Sequence, residues 1–214
     1  AGNHKCYHIH ERCINDTLQV KLAWCPANYR MLSIDPSNRL YVWPMDPDSF
    51  EEESPPHRPR MPPHCPHKDV ITDVIYIKDR GLVATSSLDK RVVLWGVENM
   101  RERGVLEGHK LGIRKMAYAN GTLISVGFEY DAIVWDITSK TQTLLLRGHR
   151  CSIASVRILC IHREHTLKAV TVDDSCQFRV WELVSGEGGG GKGEGGGGEG
   201  GGGGGGEGGG GGGG

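Results

Sequence analysis

The sequence lacks a long apolar run, a strong net charge and a regular cysteine pattern. No stretch approaches the roughly 18 consecutive apolar residues that a membrane-spanning helix needs, so no membrane partner is predicted. The formal net charge is −1, which argues against a strongly basic nucleic-acid-binding protein. The seven cysteines are odd in number and irregularly spaced, as in a cytoplasmic protein that keeps its thiols reduced.

Motifs of catalysis and metal binding are also missing. There is no Gly-x-Ser-x-Gly turn and no His-Glu-x-x-His pair, so the sequence predicts no catalytic residue, no cofactor and no small-molecule substrate. Two groups of metal-binding side chains occur, but neither has the paired Cys-x-x-Cys spacing of structural zinc, and no metal site is predicted. They are His4, Cys6, His8, His10 and Cys13, and Cys160, His162 and His165.

Residues 186–214 lack apolar side chains altogether and hold 24 of the 33 glycines. Such a segment has nothing to bury and much backbone entropy to lose, so we predict a disordered tail. The tail carries four Glu and one Lys, a net charge of −3, which leaves about +2 on the rest of the chain. The chain begins without Met or a signal-peptide-like apolar stretch, and we expect it to be a piece of a longer protein.

The remainder contains a repeat anchored on tryptophan. Trp43, Trp95, Trp135 and Trp181 follow one another at intervals of 52, 40 and 46 residues. Ten residues before each lies a hydroxyl side chain, namely Ser33, Thr85, Ser125 and Thr171. The last three units open with His67, His109 and His149. Six residues before the tryptophan stand Asp89, Glu129 and Ser175, the last with Asp173 and Asp174 just upstream.

Each unit has the pattern of short antiparallel strands. In unit two, strands are predicted over 70–77, 82–86 and 91–97 and from 104 onward, with turns at 78–81 and 88–90. A small sheet with two apolar faces must stack on its neighbours, and radial stacking gives a propeller. The predicted fold is therefore all-β, a partial β-propeller of about four blades.

This pattern resembles the WD-repeat family of β-propellers over roughly residues 17–183. In that family a His, a Ser or Thr, an Asp and the Trp form a hydrogen-bonded group in each blade, here called the blade network. The resemblance implies that the recurring histidines are structural rather than catalytic or metal-binding. It assigns His67, Thr85, Asp89 and Trp95 to unit two; His109, Ser125, Glu129 and Trp135 to unit three; His149, Thr171 and Trp181 to unit four; and Ser33 and Trp43, without a His, to unit one.

A narrower resemblance rests on residues 127–130, Gly-Phe-Glu-Tyr. They are similar to a stretch of the cilium- and flagellum-associated proteins that combine WD repeats with an EF-hand region, although no EF-hand loop is found in this chain. The similarity implies the axoneme of a cilium or flagellum as the setting.

The pattern divides the chain into a lead-in of residues 1–16, a propeller over 17–185 and the tail 186–214. The blade units are predicted at 17–45, 67–103, 104–143 and 144–185, with a loop at 46–66 that holds seven of the ten prolines. Because glycine follows the last tryptophan so closely, we expect the last blade to lack its outer strand and to leave an unpaired edge at 178–183.

The resemblance implies a non-catalytic scaffold that holds other proteins through its rim loops and top face. The residue after each unit-opening histidine is basic, Lys68, Lys110 and Arg150. Three cations on one rim would attract an acidic partner, although solvated loops often carry such residues. Two other functions stay open. A ubiquitin-ligase adaptor would need an F-box or similar module, and an enzyme would need acidic or histidine side chains at the propeller axis.

Overall fold

The computed structural model describes residues 21–25, 29–34, 39–44, 66–161 and 166–183. The predicted lead-in 1–16, nearly all of the proline-rich loop 46–66 and the tail 186–214 lie outside the described residues. So do the candidate metal ligands other than Cys160.

The described residues form four antiparallel sheets, each built from consecutive strands in chain order. Blade 1 contains β1 Lys21–Cys25, β2 Arg30–Ile34 and β3 Leu40–Pro44. Blade 2 contains β4 Ile71–Ile77, β5 Leu82–Ser87, β6 Arg91–Gly96 and β7 Glu102–Glu107, with a 3-10 turn Lys78–Arg80. Blade 3 contains β8 Ile113–Ala119, β9 Thr122–Gly127, β10 Asp131–Asp136 and β11 Thr141–Arg147. Blade 4 contains β12 Ile153–Ile161, β13 Thr166–Asp173 and β14 Phe178–Leu183.

The four sheets stack side by side around a common line. The first strands of the blades are neighbours in the order β1, β4, β8 and β12, so they form the inner ring. Three apolar clusters fill the gaps between blades 1 and 2, 2 and 3, and 3 and 4. The sequence-based prediction of an all-β partial propeller is thereby confirmed.

The inner ring is also joined by a buried carboxylate. Asp73 on β4 accepts a hydrogen bond from the backbone amide of Met116 on β8, at 3.0 Å. The ammonium of Lys115 lies 3.5 Å from the same carboxylate. This contact joins blades 2 and 3 by polar bonds where the two sheets come closest to the axis.

Two of the predicted unit limits cut through strands of the structure. The predicted unit limits at 103/104 and 143/144 fall inside β7 and β11, and each of these strands pairs with the strand before it. Each sheet instead ends with the strand that precedes the next histidine loop, so β7 belongs as a whole to blade 2 and β11 to blade 3.

Within the described ranges, blade 4 has three strands, and β14 pairs with β13 alone. Phe178 and Val180 on β14 are exposed. In the part of the chain that the structure describes, no helix has the length and apolarity needed to cross a membrane.

The register of the repeat predicts that two tryptophans contribute differently to the free energy of unfolding. Trp135 is 1% exposed in the cluster between blades 2 and 3, whereas Trp24 on β1 is 49% exposed. We expect Trp135→Ala to lower the free energy of unfolding by about 3–5 kcal/mol and Trp24→Ala by about 1 kcal/mol or less. Urea unfolding of the full chain measures both, and equal losses would contradict the stacking described above.

Candidate interaction site

A tryptophan bonded to a hydroxyl recurs in all four blades. The indole Nε1 donates to the hydroxyl oxygen over 2.7–2.9 Å in the pairs Trp43–Ser33, Trp95–Thr85, Trp135–Ser125 and Trp181–Thr171. The spacing of ten follows from the hairpin. Trp95 stands opposite Val83, and Thr85, two residues further on, lies on the same face because side chains alternate along a strand. The tryptophan thus reaches its hydroxyl diagonally across the sheet.

Blade 2 contains the complete network. His67 Nε2 lies 2.8 Å from Thr85 Oγ1, and His67 Nδ1 lies 3.1 Å from Asp89 Oδ2. Since Asp89 accepts only, the ring carries its proton on Nδ1, and the threonine hydroxyl donates to Nε2. One hydroxyl therefore accepts from Trp95 and donates to His67, so every polar atom in this buried group has a partner.

The acid of the network also fixes the loop that carries the rim cation. Asp89 accepts from the amide of Lys68 at 2.9 Å and from the guanidinium of Arg91 at 3.0 Å. Burial disfavours its charge, but the Lys68 amide and His67 together hold the pKa of Asp89 below its usual value. Burial lowers the pKa of His67, and the attraction of Asp89 offsets this only in part. The histidine is neutral at neutral pH.

Blade 3 departs from this pattern at its acid. His109 Nε2 lies 2.6 Å from Ser125 Oγ, but Nδ1 is 3.6 Å from Glu129 and is a buried atom without a hydrogen-bond partner. The Glu129 carboxylate accepts instead from the amides of Lys110 and Leu111. Burial lowers the pKa of His109, against the opposing charge of Glu129. The longer side chain holds the rim loop but does not complete the network.

Blade 4 has Ser175 at the register position of the acid, and its acid comes from two residues upstream. Asp173, rather than Ser175, accepts from His149 Nδ1 at 2.8 Å, while Thr171 Oγ1 lies 2.7 Å from Nε2. Asp173 is two residues after Thr171 on β13, so both side chains lie on one face. Burial opposes its charge, yet hydrogen bonds led by those of Ser175 and His149 hold the pKa of Asp173 well below its usual value. Ser175 donates its backbone amide and its hydroxyl to Asp173, and it thereby supports the acid rather than replacing it.

The three rim cations lie at equivalent places on one edge of the propeller. This edge, the upper rim, consists of the loops 66–70, 108–112 and 148–152 and the turns 88–90, 128–130 and 174–177. Lys68, Lys110 and Arg150 are all exposed there, each directly after a buried histidine. The turns at 78–81, 97–101, 120–121 and 137–140 form the opposite edge, the lower rim.

The chain is similar to several known proteins. It is 22% identical to cilia- and flagella-associated protein 337 B of Tetrahymena thermophila over 76% of the chain and 12% of that protein. It is 30% identical to the mouse tRNA (34-2'-O)-methyltransferase regulator WDR6 over 55% of the chain and 11% of that protein. It is 26% identical to the phospholipase A-2-activating protein of Xenopus laevis over 74% of the chain and 20% of that protein. No family model matches the chain.

The second and third of these relatives are WD-repeat proteins, and the hydroxyl-centred network recurs in register along the blades. In sequence and in blade structure, the chain resembles WD-repeat proteins. Its resemblance to cilium-associated proteins, inferred from residues 127–130, is matched by the Tetrahymena relative. The chain spans no more than a fifth of the length of these three relatives, so it corresponds to a small part of each.

The blade network of blade 3 lacks the bond between its acid, Glu129, and its histidine, and a single substitution tests the reason. Glu129→Asp should let the carboxylate meet His109 Nδ1 as Asp89 meets His67, and we expect the free energy of unfolding to rise by about 1 kcal/mol. The matched reverse change, Asp89→Glu, should remove the bond to His67 and lower the free energy of unfolding by about 1–3 kcal/mol. Denaturant unfolding measures both changes. A lower free energy of unfolding in both variants would show that a carboxylate at residue 129 does not reach His109 when its side chain is shortened.

The buried histidines predict a loss of stability in mild acid. Burial lowers the folded-state pKa values of His67 and His109, so below about pH 6.5 the unfolded chain binds more protons at these two residues than the folded chain. The free energy of unfolding should be constant above that pH and fall below it, by at most about 1.4 kcal/mol per pH unit for each histidine. Unfolding curves from about pH 8 to about pH 5 test this, and His67→Gln should flatten the slope. A flat profile in the unaltered chain would contradict the neutral assignment.

Proposed function

We propose that this chain is a non-catalytic WD-repeat scaffold that holds acidic segments of other proteins on its upper rim. The observation that carries the proposal is the exposure of Lys68, Lys110 and Arg150 at equivalent positions of three blades. Their loops are held by the buried networks beneath them. A rigid row of like charges attracts an acidic partner without reordering of the loops.

The acids near this row are largely engaged within the chain. Asp89 and Glu129 accept backbone amides of the cation-bearing loops, and Asp174 is paired with Arg114 at 2.6 Å. These contacts turn the carboxylates toward groups of the chain itself, while the side chains of the three rim cations stay exposed to solvent. This arrangement supports electrostatic capture of a protein partner more than it supports catalysis.

The setting that we propose is the cilium or flagellum. Its support is the similarity to a cilia- and flagella-associated protein over 76% of the chain, together with the Gly-Phe-Glu-Tyr stretch on the upper rim. The alternative of a ubiquitin-ligase adaptor has no such support, because none of the three relatives named above is described in those terms. Among the described residues, the carboxylate of Asp73 on the inner strands accepts a hydrogen bond from the Met116 amide and joins blades 2 and 3, and this structural role gives no support to an enzyme.

Charge reversal on the upper rim tests the scaffold. The variant Lys68→Glu, Lys110→Glu, Arg150→Glu should reduce co-sedimentation of the full chain with isolated ciliary axonemes by about tenfold or more. Binding of the unaltered chain should weaken as salt rises, because exposed charges are screened.

A lower-rim variant serves as the control. Lys78→Glu, Arg101→Glu, Arg103→Glu makes the same change in net charge at exposed positions in the lower rim and at the start of β7, and it should bind like the unaltered chain. Equal losses in both variants would refute a role of the upper rim. Failure of the unaltered chain to bind axonemes, with binding to acidic peptides retained, would refute the ciliary setting alone.

A further inference from the structure

Exposed apolar side chains gather at one place on the upper rim. Leu111 is 48% exposed, Phe128 44% and Tyr130 56%, and all three belong to blade 3. We call these three residues the junction patch. Neither the fold nor the blade network accounts for their exposure, since none lies in the apolar clusters between the blades.

Hydrogen bonds show that these three residues are neighbours. The Leu111 amide donates to the Glu129 carboxylate at 2.7 Å. Glu129 stands between Phe128 and Tyr130 in the chain. The Phe128 amide donates to the carbonyl of Gly112 at 3.0 Å. Ser152 of blade 4 donates through its hydroxyl to the Phe128 carbonyl at 3.1 Å. The junction patch thus lies where blades 3 and 4 meet at the rim.

Phe128 of the patch is held by contacts within the chain. The guanidinium carbon of Arg114 lies 5.1 Å from the centre of the Phe128 ring, and its Nη1 is 2.6 Å from Asp174 of blade 4. A Cβ on Gly127 would overlap the carbonyl oxygen of Gly112, so the backbone before Phe128 packs tightly against its neighbouring loop. An aromatic side chain that is held in place and still half exposed, as Phe128 is, makes an effective anchor for a partner, because little entropy is lost on binding.

Charge decides what kind of partner fits. Lys110 is the chain neighbour of Leu111, and Arg150 is two residues from Ser152, so each of the two loops that contact the patch carries an exposed cation. The nearby acids are used internally, Glu129 by two amides and Asp174 by Arg114. An apolar centre flanked by cations complements a peptide that carries an apolar side chain between acidic ones.

We propose that the junction patch of Leu111, Phe128 and Tyr130, with Lys110 and Arg150 beside it, is the docking site for a short acidic peptide segment with an apolar anchor. This inference rests on the proposed function and adds to it the location and the chemistry of the partner. Basic and aromatic residues together also bind single-stranded nucleic acid. The near-neutral body of the chain and the small number of cations favour the peptide.

Fluorescence anisotropy with synthetic probes tests the proposal on the full chain. The first peptide alternates acidic residues around a central Leu-Phe pair, the second replaces that pair by Ser, and the third keeps the pair but replaces the acids by Lys. A single-stranded RNA of similar length is the fourth probe. We expect the first peptide to bind about tenfold more tightly than each of the others.

Variants locate the binding. Leu111→Ser with Phe128→Ser should weaken binding of the first peptide by about tenfold, whereas Leu144→Ser, which alters a 43% exposed side chain on β11, should leave it unchanged. Urea unfolding of each variant separates loss of binding from loss of fold.

Each other outcome has a separate meaning. Equal binding of the two acidic peptides, unaffected by the double variant, overturns the junction patch and leaves the acidic scaffold standing. Binding of neither acidic peptide overturns both. Tighter binding of the RNA than of the first peptide, lost in the double variant, overturns the assignment of a peptide.

Discussion

One hydroxyl oxygen in each blade holds the rest of the molecule in place. It accepts from the tryptophan of the third strand, and in blades 2 to 4 it lies beside the histidine that precedes the first strand. The tryptophan must be buried to seal the gap to the previous blade, and its indole N–H cannot be left unpaired there. The histidine, fixed by the same oxygen, turns an inter-blade loop inward. Sheet stacking, loop position and rim charge all depend on that shared atom.

The blade network and the inner ring join the blades at two different places. At the upper rim, the blades are joined through the loops that the histidines hold. Near the axis, Asp73 of blade 2 accepts the Met116 amide of blade 3. A buried carboxylate needs such partners to stay charged, so neighbouring blades are joined by directional bonds as well as by apolar packing. The rim loops can therefore present side chains at fixed positions.

Much of this could be predicted from the sequence, because the parts that repeat carry their own register. The ten-residue spacing of Thr85 and Trp95 follows from the geometry of a hairpin, and the strands of unit two are close to those expected. The acid of blade 4 could not be placed, because Asp173 at the strand end and a residue in the turn can both reach His149. Periodicity two along β13 was the available signal. The missing bond between Glu129 and His109 results from the one extra methylene of Glu over Asp, and the repeat pattern cannot predict the effect of that difference. The junction patch joins loops from two blades, and no single repeat contains it.

Each sheet closes just before the next histidine loop, and this has a consequence for how such a chain can grow. The segment from one histidine to the next supplies all the strands of one blade, as residues 67–108 do for β4 to β7 of blade 2. A duplicated segment of this kind therefore inserts as a complete sheet, with its first strand ready to join the inner ring. Gene duplication in steps of one segment preserves every strand pairing within the blades, so the number of blades can change during evolution without a stage in which a sheet lacks a strand.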